Sequence, residues 1–329
     1  MKLVSYAPKS GGAARGGVLV GSDLGTILDL GRGFASLART VGVQVLDLVQ
    51  AGAAGLEAAR ELVSAHAAGK LPATTSEGPT TVKSADVRLL APIPRPPSMR
   101  DGYAFRQHVE TARRNRGLEM IPEFDQFPVF YFTNHQAVVG PGPVHVRPRQ
   151  LEKLDFELEA AIVVGKEARD VSAAEADATI FGLTIMNDFS ARVLQMDEMK
   201  LSLGPAKGKD FATGLGPWLV TMDELAPHLV KTPNGLHFDL GMRAFVNDVQ
   251  VSTGNVKDMT WTFAQILERA SYGVSLYPGD VIGSGTCGTG CFLELNGSKI
   301  TKDQWLRPGD VVALEIDALG RLENTIVAD

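Results

Sequence analysis

Short apolar runs separated by turn residues dominate this chain, a pattern that predicts more strand than helix. Near the start, 17–20 and 25–30 read as short strands. The stretch from Gly55 to Ala68 sets Leu56, Leu62 and Val63 among alanines and predicts a helix, and 87–90 reads as a closing strand. Residues 91–97 then hold Pro92, Pro94, Pro96 and Pro97. Neither a helix nor a central strand tolerates that density of proline, so the segment predicts a boundary between a small α+β unit (1–95) and a larger one (96–329).

Beyond the boundary, 154–164 is strongly β-like and stops at Gly165. Residues 173–181 predict a helix. Residues 183–188 predict a strand feeding a short helix through Ala191, Arg192 and Gln195. Residues 242–246 and 249–251 flank Asn247-Asp248 as a hairpin, and 262–270 predict a helix. Two Pro-Gly-Asp-Val turns, at 278 and 308, each lead into an apolar strand, with no repeat beyond that shared chemistry.

Composition narrows the class. With 329 residues, 44% hydrophobic and 21% charged, the chain can build a core without disulfides. The net charge is −6 and no block of Lys and Arg stands out, which argues against a nucleic-acid partner. No apolar run reaches the roughly 18 residues of a membrane span, and the first residues lack the apolar stretch of a signal peptide, so the expected compartment is the cytoplasm. Cys287 and Cys291 are too few for a disulfide scaffold and lack the further ligands of a zinc site, so they read as two small buried side chains.

Four segments carry candidate chemistry. In Phe156-Glu157-Leu158-Glu159-Ala160 a strand would place Glu157 and Glu159 on one face among apolar neighbours. Two buried carboxylates side by side repel unless a proton or a hard cation intervenes. In Met186–Gln195, helical geometry would put Asp188, Arg192 and Gln195 on one face, with an exposed salt bridge as the plain reading. Asp101 and His108 are seven apart, two turns if that stretch is helical. The glycine-rich segment Gly208–Trp218 carries Lys209, whose plain reading is a solvated lysine on a surface loop.

Taken in order, these segments resemble the fumarylacetoacetate hydrolase family, most specifically at Leu154–Glu159, Met186–Arg192 and Gly208–Phe211 with Gly216-Pro217-Trp218. The resemblance implies an α+β, mainly β fold: a small SH3-like N-terminal domain followed by a mixed β-roll, usually as a homodimer. It also implies that Asp101, Glu157, Glu159 and Asp188 ligate a divalent ion. Four carboxylates without Cys or His suit Mg²⁺, Ca²⁺ or Mn²⁺. Lys209 would offset part of their charge, and Thr213 would border the metal.

By the same resemblance His108 is the catalytic histidine and Glu294 its partner. Lys209, Arg192 and Gln195 are candidates to stabilise an oxyanion. Tyr103, Tyr131, Arg192, Gln195 and Thr286 line the substrate pocket. The implied activity is metal-dependent hydrolysis of a C–C bond in a 1,3-diketone or acylpyruvate, such as fumarylacetoacetate or fumarylpyruvate, in tyrosine or aromatic-compound catabolism. The family also holds 2-oxo acid decarboxylases and dienoate isomerases or hydratases on the same metal site. A small oxo-acid or diketone is the expected partner in each case.

Overall fold

The computed structural model describes residues 1–329. Its central strand, Leu158–Val164, is buried at every position. Leu158, Ala160, Ile162 and Val164 enter one apolar core, and Ala161 and Val163 another. That alternation is what a strand covered on both faces requires. Ile180–Asp188, also wholly buried, runs antiparallel to it, with Thr213–Thr221 beyond. On the other side lie Val281–Gly283, then Met99–Gly102, then Phe130–Phe132 at the edge.

The sheet does not end where the proline segment falls. Lys2 and Leu3 pair with Val220 and Leu219. Arg15–Val20, Thr26–Asp29 and Thr81–Lys83 follow outward, and Val87–Leu90 pairs with Lys2–Pro8, giving twelve strands in all. Helices Leu30–Ser36, Val45–Gln50 and Gly52–Ala67 cover one face of this sheet. Phe34, Leu48 and Leu62 share a core with Val163, Met186 and Leu215. The first ninety residues are thus hydrogen-bonded and packed onto the same sheet as the rest, although the sequence pattern predicts a separate unit.

The opposite face packs on a five-stranded sheet, ordered Gly142–Val146, Gly320–Ala328, Val311–Ile316, Gly241–Val246 and Val249–Asn255, and on the helix Phe263–Ser271. The hairpin forms as expected. Asn247 and Asp248 take φ of 50° and 62°, the two left-handed residues that suit the twist of the flanking strands.

Two elements differ from the expectation. The helix at 173–181 is only Ala173–Ala176 plus a 3₁₀ turn, because Ile180 already belongs to a buried strand. The glycine-rich loop ends at Ala212, and Thr213–Thr221 is a central strand. Gly214, Gly216 and Pro217 mask its alternation in the sequence. A Cβ on Gly214 would lie 3.1 Å from Asn324 Oδ1, 3.2 Å from Asn187 Cβ and 3.3 Å from Leu322 Cδ2, closer than ordinary contact.

Candidate active site

Asp101, Glu159 and Asp188 leave neighbouring strands from one face of the sheet, the face that also carries Met99, Ala161 and Met186. Glu157 stands at the step between Leu154–Asp155 and Leu158–Val164. All four are buried, with carboxylate atoms within 4.8 Å of one another. The strand between them contributes Gly283 at this level. A Cβ there would lie 2.9 Å from Glu159 Oε2, 2.7 Å from Met186 Sδ and closer still to Asp101 Oδ1. The acids meet because that position has no side chain.

Two buried cations serve the cluster. Lys209 Nζ donates to Glu157 Oε2 at 2.7 Å and to Asp188 Oδ2 at 2.6 Å. Arg192 Nη2 donates to Glu157 Oε1 at 2.8 Å. Burial pushes the Glu157 carboxyl up, but the charges of Lys209 and Arg192 outweigh it and hold the group down at about 2. The other acids lack such cover. Burial and the Asp188 charge push Asp101 up to about 8. Burial and the Asp101 charge raise Glu159 well above the carboxylate range. Burial raises Asp188 too, against the pull of Lys209.

Both oxygens of Glu159 and Oδ1 of Asp188 are buried without a hydrogen-bond partner. Orphaned carboxylate oxygens converging at this spacing fit a hard divalent cation, which would satisfy them and offset their charge. The helix reading of Asp188 with Arg192 and Gln195 gives way here. Asp188 ends a strand, and Arg192 opens the helix Arg192–Met199. Nor is Lys209 solvated: it is 4% exposed.

Asp101 and Glu157 of the cluster line a cavity of about 860 Å³ together with Tyr103, His108, Tyr131, Arg192, Gln195, Lys209 and Thr286, with Met196, Met199, Leu293 and Trp305 adding apolar wall. Asp101 and His108 do not share a helix. Asp101 is the penultimate residue of Met99–Gly102, the chain turns, and His108 lies in the first turn of Arg106–Arg114. Glu294, on the helix Phe292–Gly297, stands behind the imidazole with Oε2 2.7 Å from Nδ1. Both are buried. With Nδ1 engaged, Nε2 is the nitrogen left for proton transfer. Tyr103 packs edge-on against the ring at 5.7 Å.

Tyr131 differs from a simple pocket wall. Its hydroxyl donates to Asp188 Oδ2 at 2.6 Å, so with Lys209 it fixes one oxygen of Asp188 and leaves Oδ1 for the cluster. Gln195 accepts from Arg192 Nη1 at 3.0 Å. Thr286 donates to the Leu158 carbonyl at 3.3 Å. Thr213 pairs in register with Asp188.

Sequence reasoning missed the role of Asp155. Its carboxylate accepts from Arg192 Nε at 2.8 Å and from the backbone N–H of Phe292 and Leu293 at 2.7 and 2.9 Å. Its place in the motif beside Glu157 was the available signal. Asn187 was missed as well; its Oδ1 accepts from Glu157 N at 3.1 Å and holds the irregular step in place.

A family model described as "Fumarylacetoacetate (FAA) hydrolase C-terminal" matches residues 98–327. The human mitochondrial oxaloacetate tautomerase FAHD2A is 30% identical over 94% of this chain and 88% of its own length. The rice fumarylacetoacetase is 32% identical over 59% of this chain, which spans 56% of that protein, just over half. A solved fumarylacetoacetate hydrolase from Exiguobacterium antarcticum superposes over the whole of both chains with a TM-score of 0.70 at 24% identity, a likeness of fold. Other solved structures on this fold bear isomerase and hydrolase names alike. No helix is long and apolar enough to cross a membrane.

Proposed function

The chain belongs to the fumarylacetoacetate hydrolase family, and from that premise we propose that it is a divalent-metal-dependent hydrolase cleaving the C–C bond of a 1,3-diketone or acylpyruvate, working as a cytoplasmic homodimer in aromatic-compound or tyrosine catabolism. The observation that carries this reading is His108, backed by buried Glu294, on the wall of the cavity that Asp101 and Glu157 of the four-carboxylate cluster also line.

Asp101, Glu157, Glu159 and Asp188 are the residues to hold Mg²⁺, Ca²⁺ or Mn²⁺, which when bound supplies a Lewis acid for a carbonyl and an enolate oxygen. His108 takes a proton from water at Nε2. Glu294 keeps Nδ1 protonated and stabilises the imidazolium, work that supplies roughly 10²–10⁴-fold. Water adds to the acyl carbon, and the C–C bond breaks with its electron pair passing to the neighbouring carbon as an enolate. His108 holds the proton to return to it. Lys209 spends two N–H bonds on Glu157 and Asp188, and Arg192 is bound to Asp155, Glu157 and Gln195. The remaining Lys209 N–H and the Gln195 amide are therefore the donors for a developing oxyanion. Tyr103, Tyr131 and Thr286 shape the pocket around the reacting carbons.

The share of the chain matched favours a second reading. The tautomerase match spans 94% of the chain against 59% for the fumarylacetoacetase. In that reading His108 moves a proton between carbon and oxygen of a 2-oxo acid and no water adds. Decarboxylation of a 2-oxo acid, or dienoate isomerisation or hydration, would use the same cluster.

Loss of diketone absorbance from fumarylpyruvate and fumarylacetoacetate, with Mg²⁺ and with EDTA, separates these readings when oxaloacetate is run alongside. Metal-dependent cleavage abolished by His108→Ala is the expected result. Silence on both diketones with rapid enol–keto conversion of oxaloacetate would replace hydrolysis with proton transfer.

A further inference from the structure

Cys291 plays no part in the proposed reaction, and the sequence alone offers it no companion ligand. The fold supplies two. Cys291 directly precedes the helix Phe292–Gly297, and Glu294 lies three residues on, so one turn brings the thiol and the carboxylate together. His108 arrives from the facing helix Arg106–Arg114. One donor atom from each of the three lies within 4.8 Å of the others, and Cys291, Glu294 and His108 are 0%, 2% and 6% exposed.

We infer that Cys291, Glu294 and His108 form a second metal site, selective for a soft or borderline divalent ion such as Zn²⁺, whose occupation switches the enzyme off. Softness sorts the two sites. The four-carboxylate cluster offers only oxygen and suits hard ions, whereas sulfur, imidazole nitrogen and one carboxylate oxygen suit Zn²⁺. Charge agrees. One Zn²⁺ with a thiolate, a carboxylate and a neutral imidazole sums to zero, the balance a buried site needs.

Three protein ligands leave a fourth tetrahedral position, and His108 lies on the cavity wall through which the ion and a water can enter. Zn–S of about 2.3 Å and Zn–N of about 2.0 Å put tetrahedral donors roughly 3.5 Å apart, so the site closes by small side-chain movements. Binding expels the thiol proton to solvent and shifts the proton between Nδ1 and Oε2 to Nε2, so the imidazole stays neutral. It thereby dismantles the hydrogen bond that orients His108. The binding claim stands on the three ligands alone; the inhibitory consequence rests on the role proposed above for His108 and Glu294.

The test begins with Co²⁺, titrated into the full-length protein in saturating Mg²⁺. A thiolate-to-cobalt charge-transfer band in the near ultraviolet is expected, competed away by Zn²⁺ and absent from Cys291→Ala and Cys291→Ser. This readout needs no substrate and survives failure of the hydrolase reading. No band in the wild type, or a band that persists in both variants, overturns the site. In turnover assays with saturating Mg²⁺, both variants should keep wild-type activity and need at least about tenfold more Zn²⁺ for half-inhibition. Equal inhibition of wild type and variants would place the inhibitory ion at the carboxylate cluster and overturn the switch.

Discussion

Arg192 and Asp155 form a buried ion pair, Nε to Oδ2 at 2.8 Å. Through it the two halves of the active site hold each other. The same guanidinium reaches Glu157, while Asp155 also accepts from Phe292 N and Leu293 N, at the start of the helix that carries Glu294.

Asp155→Asn keeps the shape of the side chain and removes its charge. Breaking a buried pair costs about 3 kcal/mol or more, so thermal stability should fall. If Asp155 positions Glu294, kcat should fall while KM changes little, and the double variant Asp155→Asn/Glu294→Gln should be barely slower than Glu294→Gln alone. Fully additive losses in that cycle would mean that Asp155 only supports the fold.

Glu159 is the acid with two unpartnered oxygens. A cation at 100 times its Kd stabilises a protein by about 2.7 kcal/mol. Glu159→Gln should therefore lose most of the thermal shift that Mg²⁺ gives the wild type. Its melting temperature without metal should be no lower, because the substitution relieves crowding with Asp101. Differential scanning fluorimetry with Mg²⁺ and with EDTA reads both; an undiminished Mg²⁺ shift would remove Glu159 from the ligand set.

Glu294→Gln keeps a hydrogen-bonding group near Nδ1 and removes the charge that stabilises the imidazolium. Turnover should fall by about 10²-fold or more with Mg²⁺ affinity unchanged, since Glu294 lies outside the carboxylate cluster. Retention of full turnover on every substrate tried would remove the pair from the mechanism.

Gly283→Ala tests the close approach at the cluster without changing any charge. The new methyl would sit 2.7 Å from Met186 Sδ and 2.9 Å from Glu159 Oε2, with Asp101 nearer. Overpacking of this kind costs about 1–3 kcal/mol. Both Mg²⁺ affinity and stability should drop, as isothermal titration and denaturant midpoints would show. Unaltered Mg²⁺ affinity would mean that the acids have room the geometry does not show.

Some of this site could be read directly from residue order, because Glu157 and Glu159 belong to one short segment and an apolar run leads straight into Asp188. Other parts could not. Lys209 looks like a loop lysine until the strand after it is recognised, and Gly214, Gly216 and Pro217 hide that strand. Asp155 takes its meaning from Arg192, Phe292 and Leu293, partners up to 138 residues away. The joining of the first strands to the main sheet rests on the pairing of Lys2 and Leu3 with Val220 and Leu219, a register no local pattern encodes. Periodicity reports which residues seek cover, whereas these contacts depend on which surface provides it.

That shared sheet makes Asp29 a measure of how firmly the first ninety residues are held. Asp29 is fully buried. It accepts from the Tyr6 hydroxyl and Arg15 Nε at 2.5 Å each, from Arg15 Nη2 at 2.8 Å and from Arg32 N at 2.8 Å, capping the helix Leu30–Ser36. Burial pushes its carboxyl up, but the Arg15, Arg32 and Tyr6 hydrogen bonds outweigh it and hold the group below the ordinary aspartate value. Its contribution to stability is therefore complete above the unfolded value of about 3.9 and is lost as pH falls through the lower folded value. Asp29→Asn should be less stable than wild type at pH 7 by about 3 kcal/mol, and the gap should narrow below about pH 4 as the wild type loses the same charge. Urea denaturation of both proteins at pH 7 and near pH 3 measures the two gaps. A gap that stays constant would mean that Asp29 acts by shape and hydrogen bonding rather than by charge.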